Sequence, residues 1–194
     1  SSARKRPIII DDLPKSPPMG YSSVLVADDL PQECLIRGLE EDFGYQVIRP
    51  QAMKLPTAKQ LFDKFLPRVV LADMYYKKSD RESEIPDKKV GDEFIKYVLT
   101  HHEVKNNDSG RPIVLVTSKA ELDSDTEVRF GAINCSGVDK ATDPAYIHKV
   151  IWNEAIKRGV TRPDKQQKSR SKDVRRKVIE SNLSLAGKAQ RQWQ

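Results

Sequence analysis

The sequence predicts an α/β protein built on one doubly wound, five-stranded parallel sheet, and three observations carry that expectation. Runs such as Val69-Val70-Leu71-Ala72 and Ile113-Val114-Leu115-Val116 are continuously apolar, as strands buried on both faces are, where half-exposed strands alternate. Segments with apolar residues at helical spacing separate these runs, and alternation of strand and helix implies right-handed crossovers into a parallel sheet. The chain of 194 residues is long enough for one well-buried domain with tails.

Taken in order, residues 1–21 carry Arg4-Lys5-Arg6 and Pro14, Pro17 and Pro18, the signature of an extended leader. Ile8-Ile9-Ile10-Asp11-Asp12 imitates a strand that ends in paired acids, but the prolines behind it exclude a helix. Val24-Leu25-Val26-Ala27-Asp28-Asp29 is the genuine first strand. Pro31 follows near a helix start, where its missing N–H costs nothing, and Cys34, Leu35, Leu39 and Phe43 recur at helical spacing, with Cys34 expected to pack. Gly44 stops this helix. Residues 45–48 read as a short second strand, 57–66 as a second helix, and 68–73 as the third strand. A polar loop spans 74–90, a helix 91–104 (Phe94, Ile95, Val98 and Leu99 inward), and a turn-rich link 105–110. Residues 112–116 form the fourth strand, 121–130 a weaker helix, 133–138 a fifth strand, and 144–158 a helix with Ile147, Val150, Ile151 and Ala155 on one side.

Charge and composition narrow the function classes. The formal net charge of +6 is unevenly placed. Residues 160–194 hold ten Lys/Arg and three Asp/Glu, a net of +7, which leaves 24 basic and 25 acidic residues, a net of −1, for 1–159. A nucleic-acid contact is therefore expected, if anywhere, from the tail. Residues 160–194 read as a basic tail, partly helical or disordered, with Val174, Val178, Ile179, Leu183 and Leu185 near helical spacing. No apolar run approaches the roughly 20 residues that cross a bilayer, so no membrane partner is expected. No signal-peptide pattern opens the chain. Cys34 and Cys135 with three histidines give neither a disulfide framework nor a zinc pattern, and His101, His102 and His148 are read as surface or core-edge residues. A reducing cytoplasm is the expected compartment.

In doubly wound sheets, ligands bind outside the carboxyl ends of the strands. Those ends carry Asp28 and Asp29, Asp73, Thr117, and Lys140. In this order, with Asp29 and Asp73 separated by 44 positions and Gly131-Ala132 ahead of the fifth strand, residues 22–159 resemble a receiver domain of the two-component response-regulator family. The resemblance implies a flavodoxin-like (βα)5 fold and a phosphoacceptor, not an enzyme acting on other molecules. It implies phosphorylation on Asp73 by a histidine kinase or a histidine phosphotransfer protein, and signalling through contacts with a downstream effector protein. It also implies Mg²⁺ held by Asp29 and Asp73, by Asp28 through water, and by the backbone carbonyl of Tyr75.

The chemistry agrees with that expectation. Three carboxylates at one point repel one another unless a cation is bound or one is protonated, and oxygen-only ligands favour Mg²⁺. Asp73 is the expected nucleophile, Lys140 a point charge on the phosphoryl oxygens, and Thr117 a hydrogen-bond donor to one of them that, as the resemblance implies, moves when it does so. Paired Asp and Thr117-Ser118 also suit helix capping.

The departures from the family pattern bear on mechanism. The loop after Asp73 is longer than the family's, and Gly137 stands where receivers carry an aromatic. Ala141 replaces a proline, and Asp139 neighbours Lys140. Tyr75 and Lys119 are expected to shield the acyl phosphate from water. The rival expectations are a non-phosphorylated pseudo-receiver acting as a binding scaffold, and nucleic-acid binding through residues 160–194. The latter predicts affinity that falls steeply with salt.

Overall fold

The computed structural model describes residues 12–79, 81, 84–105, 110–118, 131–137, 139–162 and 179–180, with the backbone alone at 102, 105, 139 and 140. The chain divides into two compact units, Ser1–Val160 and Thr161–Gln194. Of the second, residues 161, 162, 179 and 180 are described, and all four are exposed. In the first unit five strands form one sheet: β1 (Ser23–Ala27), β2 (Gln46–Val47), β3 (Val69–Ala72), β4 (Ile113–Val116) and β5 (Ile133–Asn134). Their order is β2-β1-β3-β4-β5 and every neighbouring pair is parallel. The described helices are α1 (Glu33–Glu41), α2 (Leu55–Phe65), α3 (Lys88–Leu99), the single turn α4 (His102–Lys105) and α5 (Pro144–Lys157), with a 3-10 turn at Asp139–Thr142.

Successive strand residues point to opposite faces of a sheet, and here both faces are covered. Val24, Val26, Val69 and Leu71 pack under Leu35 and Leu39 of α1 and Ile147 and Ile151 of α5. Leu25, Val70 and Val114 pack under Phe62 of α2 and Phe94 and Val98 of α3. This double burial explains why β3, β4 and residues 24–27 of β1 are apolar at every position. The helix expected over 121–130 lies outside the described residues, as do Lys119 and the link residues 106–109.

Several expectations need correction. The helix read over 91–104 begins at Lys88, because Asp87 caps it by accepting the Lys89 N–H at 2.9 Å. It ends at Leu99, where the Thr100 hydroxyl turns back to the Lys96 carbonyl at 2.6 Å, and α4 follows separately. β5 is shorter than expected. Cys34 is exposed rather than packed: the buried stripe of α1 is Leu35, Ile36 and Leu39, and Cys34 falls outside it.

The leader, expected to be merely extended, is anchored. Leu13, Pro14, Pro18 and Tyr21 are buried, Trp152 Nε1 donates to the Ser16 carbonyl at 2.9 Å, and His148 Nε2 donates to the Pro14 carbonyl at 2.8 Å. His148 was expected at the surface or core edge. It is buried, stacked on Phe43 with ring centroids 4.1 Å apart, and its Nδ1 lies 2.7 Å from the Tyr45 hydroxyl. A carbonyl can only accept, so Nε2 carries the proton in the neutral ring and Nδ1 takes the Tyr45 hydrogen.

Candidate functional site

Strand register builds the site. Ala27 pairs with Ala72, and Ala72 with Val116, so the strands leave the core side by side. The ladder continues one rung further: the Asp73 N–H donates to Ala27 O at 2.9 Å, the Thr117 N–H to Ala72 O at 2.9 Å, and the Asp28 N–H to Ala52 O at 3.0 Å. Asp28, Asp73 and Thr117 are thereby fixed at the carboxyl edge by backbone bonds. One carboxylate oxygen from each of Asp28, Asp29 and Asp73 lies within 4.8 Å of the others. An open pocket of about 230 Å³ surrounds them, with Gln32, Tyr75, Thr117 and Ser118 in its wall.

Asp28 is 5% exposed. Its Oδ1 accepts the Leu30 N–H at 2.8 Å and its Oδ2 the Gln32 Nε2–H at 2.9 Å. Burial pushes its carboxyl up to about 7, with the charges of Asp73 and Asp29 adding and the two hydrogen bonds opposing. Asp73 is half-buried, and its Oδ1 accepts the Tyr75 N–H at 3.0 Å. Its carboxyl is also raised, first by burial and then by the Asp29 charge, while hydrogen bonds from Tyr75, Ser118 and Met74 pull the other way. Two raised carboxyls, those of Asp28 and Asp73, thus meet the charge of Asp29 beside one pocket, and a cation bound there would relieve the repulsion. Their donor set is oxygen alone, which fits a hard divalent cation such as Mg²⁺.

The turn after β3 is held from two sides. A Cβ on Gly91 would stand 2.3 Å from Met74 O and 2.5 Å from Met74 Cα, so glycine is what lets α3 lie directly against the backbone between Asp73 and Tyr75. Tyr76 is buried, and its hydroxyl donates to Ala52 O at 2.7 Å. Burial raises its phenol, with the Asp28 and Asp29 charges adding. Beyond it, an antiparallel bridge between Tyr76 and Asp87 closes the base of the long loop. Tyr75 itself is 40% exposed and lies in the pocket wall.

The structure thus brings Asp28, Asp29, Asp73, Tyr75 and Thr117 together. For Lys140 it gives only backbone, in the 3-10 turn after β5. Gly137 has a φ of +108°, a conformation that side chains rarely tolerate, and its N–H donates to Ser118 O at 3.2 Å.

Three residues escaped the sequence reading in any functional role. Ser118, 2% exposed, touches the Asp73 carboxylate, and its only sequence signal was adjacency to Thr117. Gln32 and Gln51 gave no signal at all, since the one turns back within an irregular segment to Asp28 and the other finds its partners 19 to 23 residues away. A larger hollow of about 590 Å³ borders Asp63, Tyr97 and His101. There the Tyr97 hydroxyl and His101 Nε2 both bond Asp63, so its polar groups satisfy one another and the carboxylate pocket is the better candidate despite its smaller size.

No family model and no curated protein matches the chain. Among solved structures, one similar chain is described as yeast Spc42 trimeric coiled-coil amino acids 181–211 fused to another structure. It is 17% identical, the match covers 89% of this chain and 96% of that one, and the TM-score is 0.46, a likeness that carries no argument about fold or function.

Proposed function

We propose that the chain is a phosphoacceptor receiver of flavodoxin-like, doubly wound fold, phosphorylated on Asp73 in a Mg²⁺-dependent reaction. The observation that carries this reading is the convergence of Asp28, Asp29 and Asp73 beside Thr117 at the carboxyl edge of the sheet. Asp29 and Asp73, with Asp28 through water and the Tyr75 carbonyl, are the groups that would hold Mg²⁺, which when bound offsets the negative charge of acceptor and phosphoryl group.

The Tyr75 N–H on Oδ1 orients the Asp73 carboxylate and leaves an oxygen to attack phosphorus. The new O–P bond forms as the donor's P–N bond breaks, and the imidazole that leaves keeps the electron pair and takes a proton from solvent. Thr117, in the pocket wall, would donate its hydroxyl to a phosphoryl oxygen, and Lys140 would supply the accompanying positive charge. The donor is then a phosphohistidine of a kinase or phosphotransfer protein, the output runs through contacts with an effector protein, and the compartment is the cytoplasm.

Intact-mass measurement after treatment with acetyl phosphate and Mg²⁺ tests this directly. One added phosphoryl group, absent in Asp73→Ala and without Mg²⁺, is expected. A folded protein that never gains the mass refutes it. That result would favour the second reading, a pseudo-receiver serving as a binding scaffold, which draws its support from Gly137: an aromatic switch ring is missing there, and the backbone disfavours one.

A further inference from the structure

We propose that Gln51 and Gln32 form a positioning relay that holds Asp28 for a bound divalent cation, so that the loop after β2 sets the cation affinity of the loop after β1. This rests on the reading of the three carboxylates as a cation site. Residues 28–32 adopt no regular structure, and their backbone polar groups need partners. A single distant side chain supplies three. Gln51 Nε2 donates to Asp28 O at 3.0 Å and to Leu30 O at 2.7 Å, and Gln51 Oε1 accepts the Gln32 N–H at 3.0 Å. The amide cannot be turned over, because its oxygen would then face two carbonyls.

With its own backbone fixed in this way, Gln32 reaches back to Asp28 Oδ2, while the Leu30 N–H occupies Oδ1. Both donors that set the plane of the Asp28 carboxylate, one a backbone N–H and the other a side-chain amide, therefore belong to residues whose backbone Gln51 holds. Each carboxylate oxygen has two lone pairs, so these bonds leave one on each for a cation or its water. The donors are neutral amides. An ammonium or guanidinium in the same place would orient Asp28 equally well, yet it would compete with the cation for the charge. Partners of this kind commonly govern metal affinity as strongly as some ligands do. If the two glutamines merely stapled the loop, they would matter for stability and leave cation uptake alone.

The experiment titrates the full chain with Mg²⁺ by calorimetry and with Mn²⁺ by electron paramagnetic resonance. The variants are Gln51→Ala, Gln32→Ala, the double Gln32→Ala/Gln51→Ala, Asp28→Asn, and Asp28→Asn/Gln51→Ala. Each single Gln variant is expected to weaken cation affinity about tenfold. The double variant should lose no more than the larger single loss, since both act through one carboxylate. In the Asp28→Asn background, Gln51→Ala should change affinity by less than about twofold. Wild-type affinity with a lowered melting temperature in the single variants overturns the relay, as does an undiminished Gln51→Ala effect without Asp28. Should Gln51→Ala fail to fold, Gln32→Ala, a half-buried side chain at the helix start, decides alone. A wild-type chain that takes up neither cation overturns both the cation site and the relay, whereas uptake that Asp28→Asn weakens and the Gln variants do not overturns the relay only.

Discussion

Replacing Asp28 with Asn is expected to stabilise the cation-free protein, although it removes a group from the centre of the site. Asp28 is nearly inaccessible and its carboxyl is raised from 3.8 to about 7. Each unit corresponds to about 1.4 kcal/mol, so keeping this carboxylate ionised above pH 8 costs the fold about 4 kcal/mol. Asn keeps the bond to the Leu30 N–H, and the Gln32 amide can turn so that its oxygen faces the new donor. Because Asn still loses water on burial, the gain should be about 1–3 kcal/mol.

The sign with pH is fixed. A folded pKa above the unfolded one means that the folded protein binds the extra proton, so stability rises as pH falls through about 7 and the benefit is complete below the unfolded value of 3.8. The advantage of Asp28→Asn should be largest above pH 8 and shrink to nothing near pH 4. Mg²⁺ should offset that advantage, since a cation at one hundred times its dissociation constant adds about 2.7 kcal/mol to the protein that binds it and less to one that binds it more weakly. Urea denaturation followed by circular dichroism, from pH 4 to 9 with and without Mg²⁺, reads these effects. A variant that is less stable at every pH, or a gap that does not depend on pH, refutes the reasoning.

Gly91→Ala places a methyl group against Met74 backbone that cannot yield, so a loss of about 1–3 kcal/mol in thermal melts is expected, with weaker Mg²⁺ binding because the Asp73–Tyr75 turn shifts; unchanged values would count against that contact. The buried His148 has its pKa lowered, chiefly by burial, so its neutral form supports the fold above about pH 6.5 and that support is lost as pH falls below it. His148→Gln should therefore be less stable than wild type at neutral pH, with the gap narrowing toward pH 5 in chemical denaturation; a constant gap would show that burial leaves the His148 pKa where it stands in the unfolded chain. Leu66 ends α2 in the left-handed conformation with a φ of 43° and is 40% exposed, so Leu66→Gly should raise stability by about 0.5–1 kcal/mol, and a lower melting temperature would contradict it.

How far the sequence could be read depended on whether a residue's role is local or crosses the fold. β3, β4 and residues 24–27 of β1 were legible because burial on both faces leaves no polar position there, and Asp28, Asp29, Asp73 and Thr117 were legible as the first polar residues past those runs. The start of α3 was not, because Asp87, Lys88 and Lys89 look no different from the charged residues of the loop before them. Cys34 was misplaced because apolar spacing fits two adjacent stripes of a short helix, and only packing on the sheet chooses between them. Gln51 illustrates the deeper limit. Its importance lies in three backbone partners 19 to 23 residues away, and a chain without regular structure at 28–32 carries no period from which such partners could be inferred.

On the receiver reading, the bond from Gly137 N to Ser118 O bears on how a message leaves Asp73. A ring that swings can report on its neighbour while the peptide beneath it stays still. On the receiver reading, the segment after β5 has no ring to swing at that position, and a main-chain bond moors it to the residue after Thr117. Any drift of Thr117 toward a phosphoryl group is then felt as a tug on a neighbouring peptide, so output would take the form of a displaced loop, and slower or faster hydrogen exchange at the Gly137 amide would be its first visible trace.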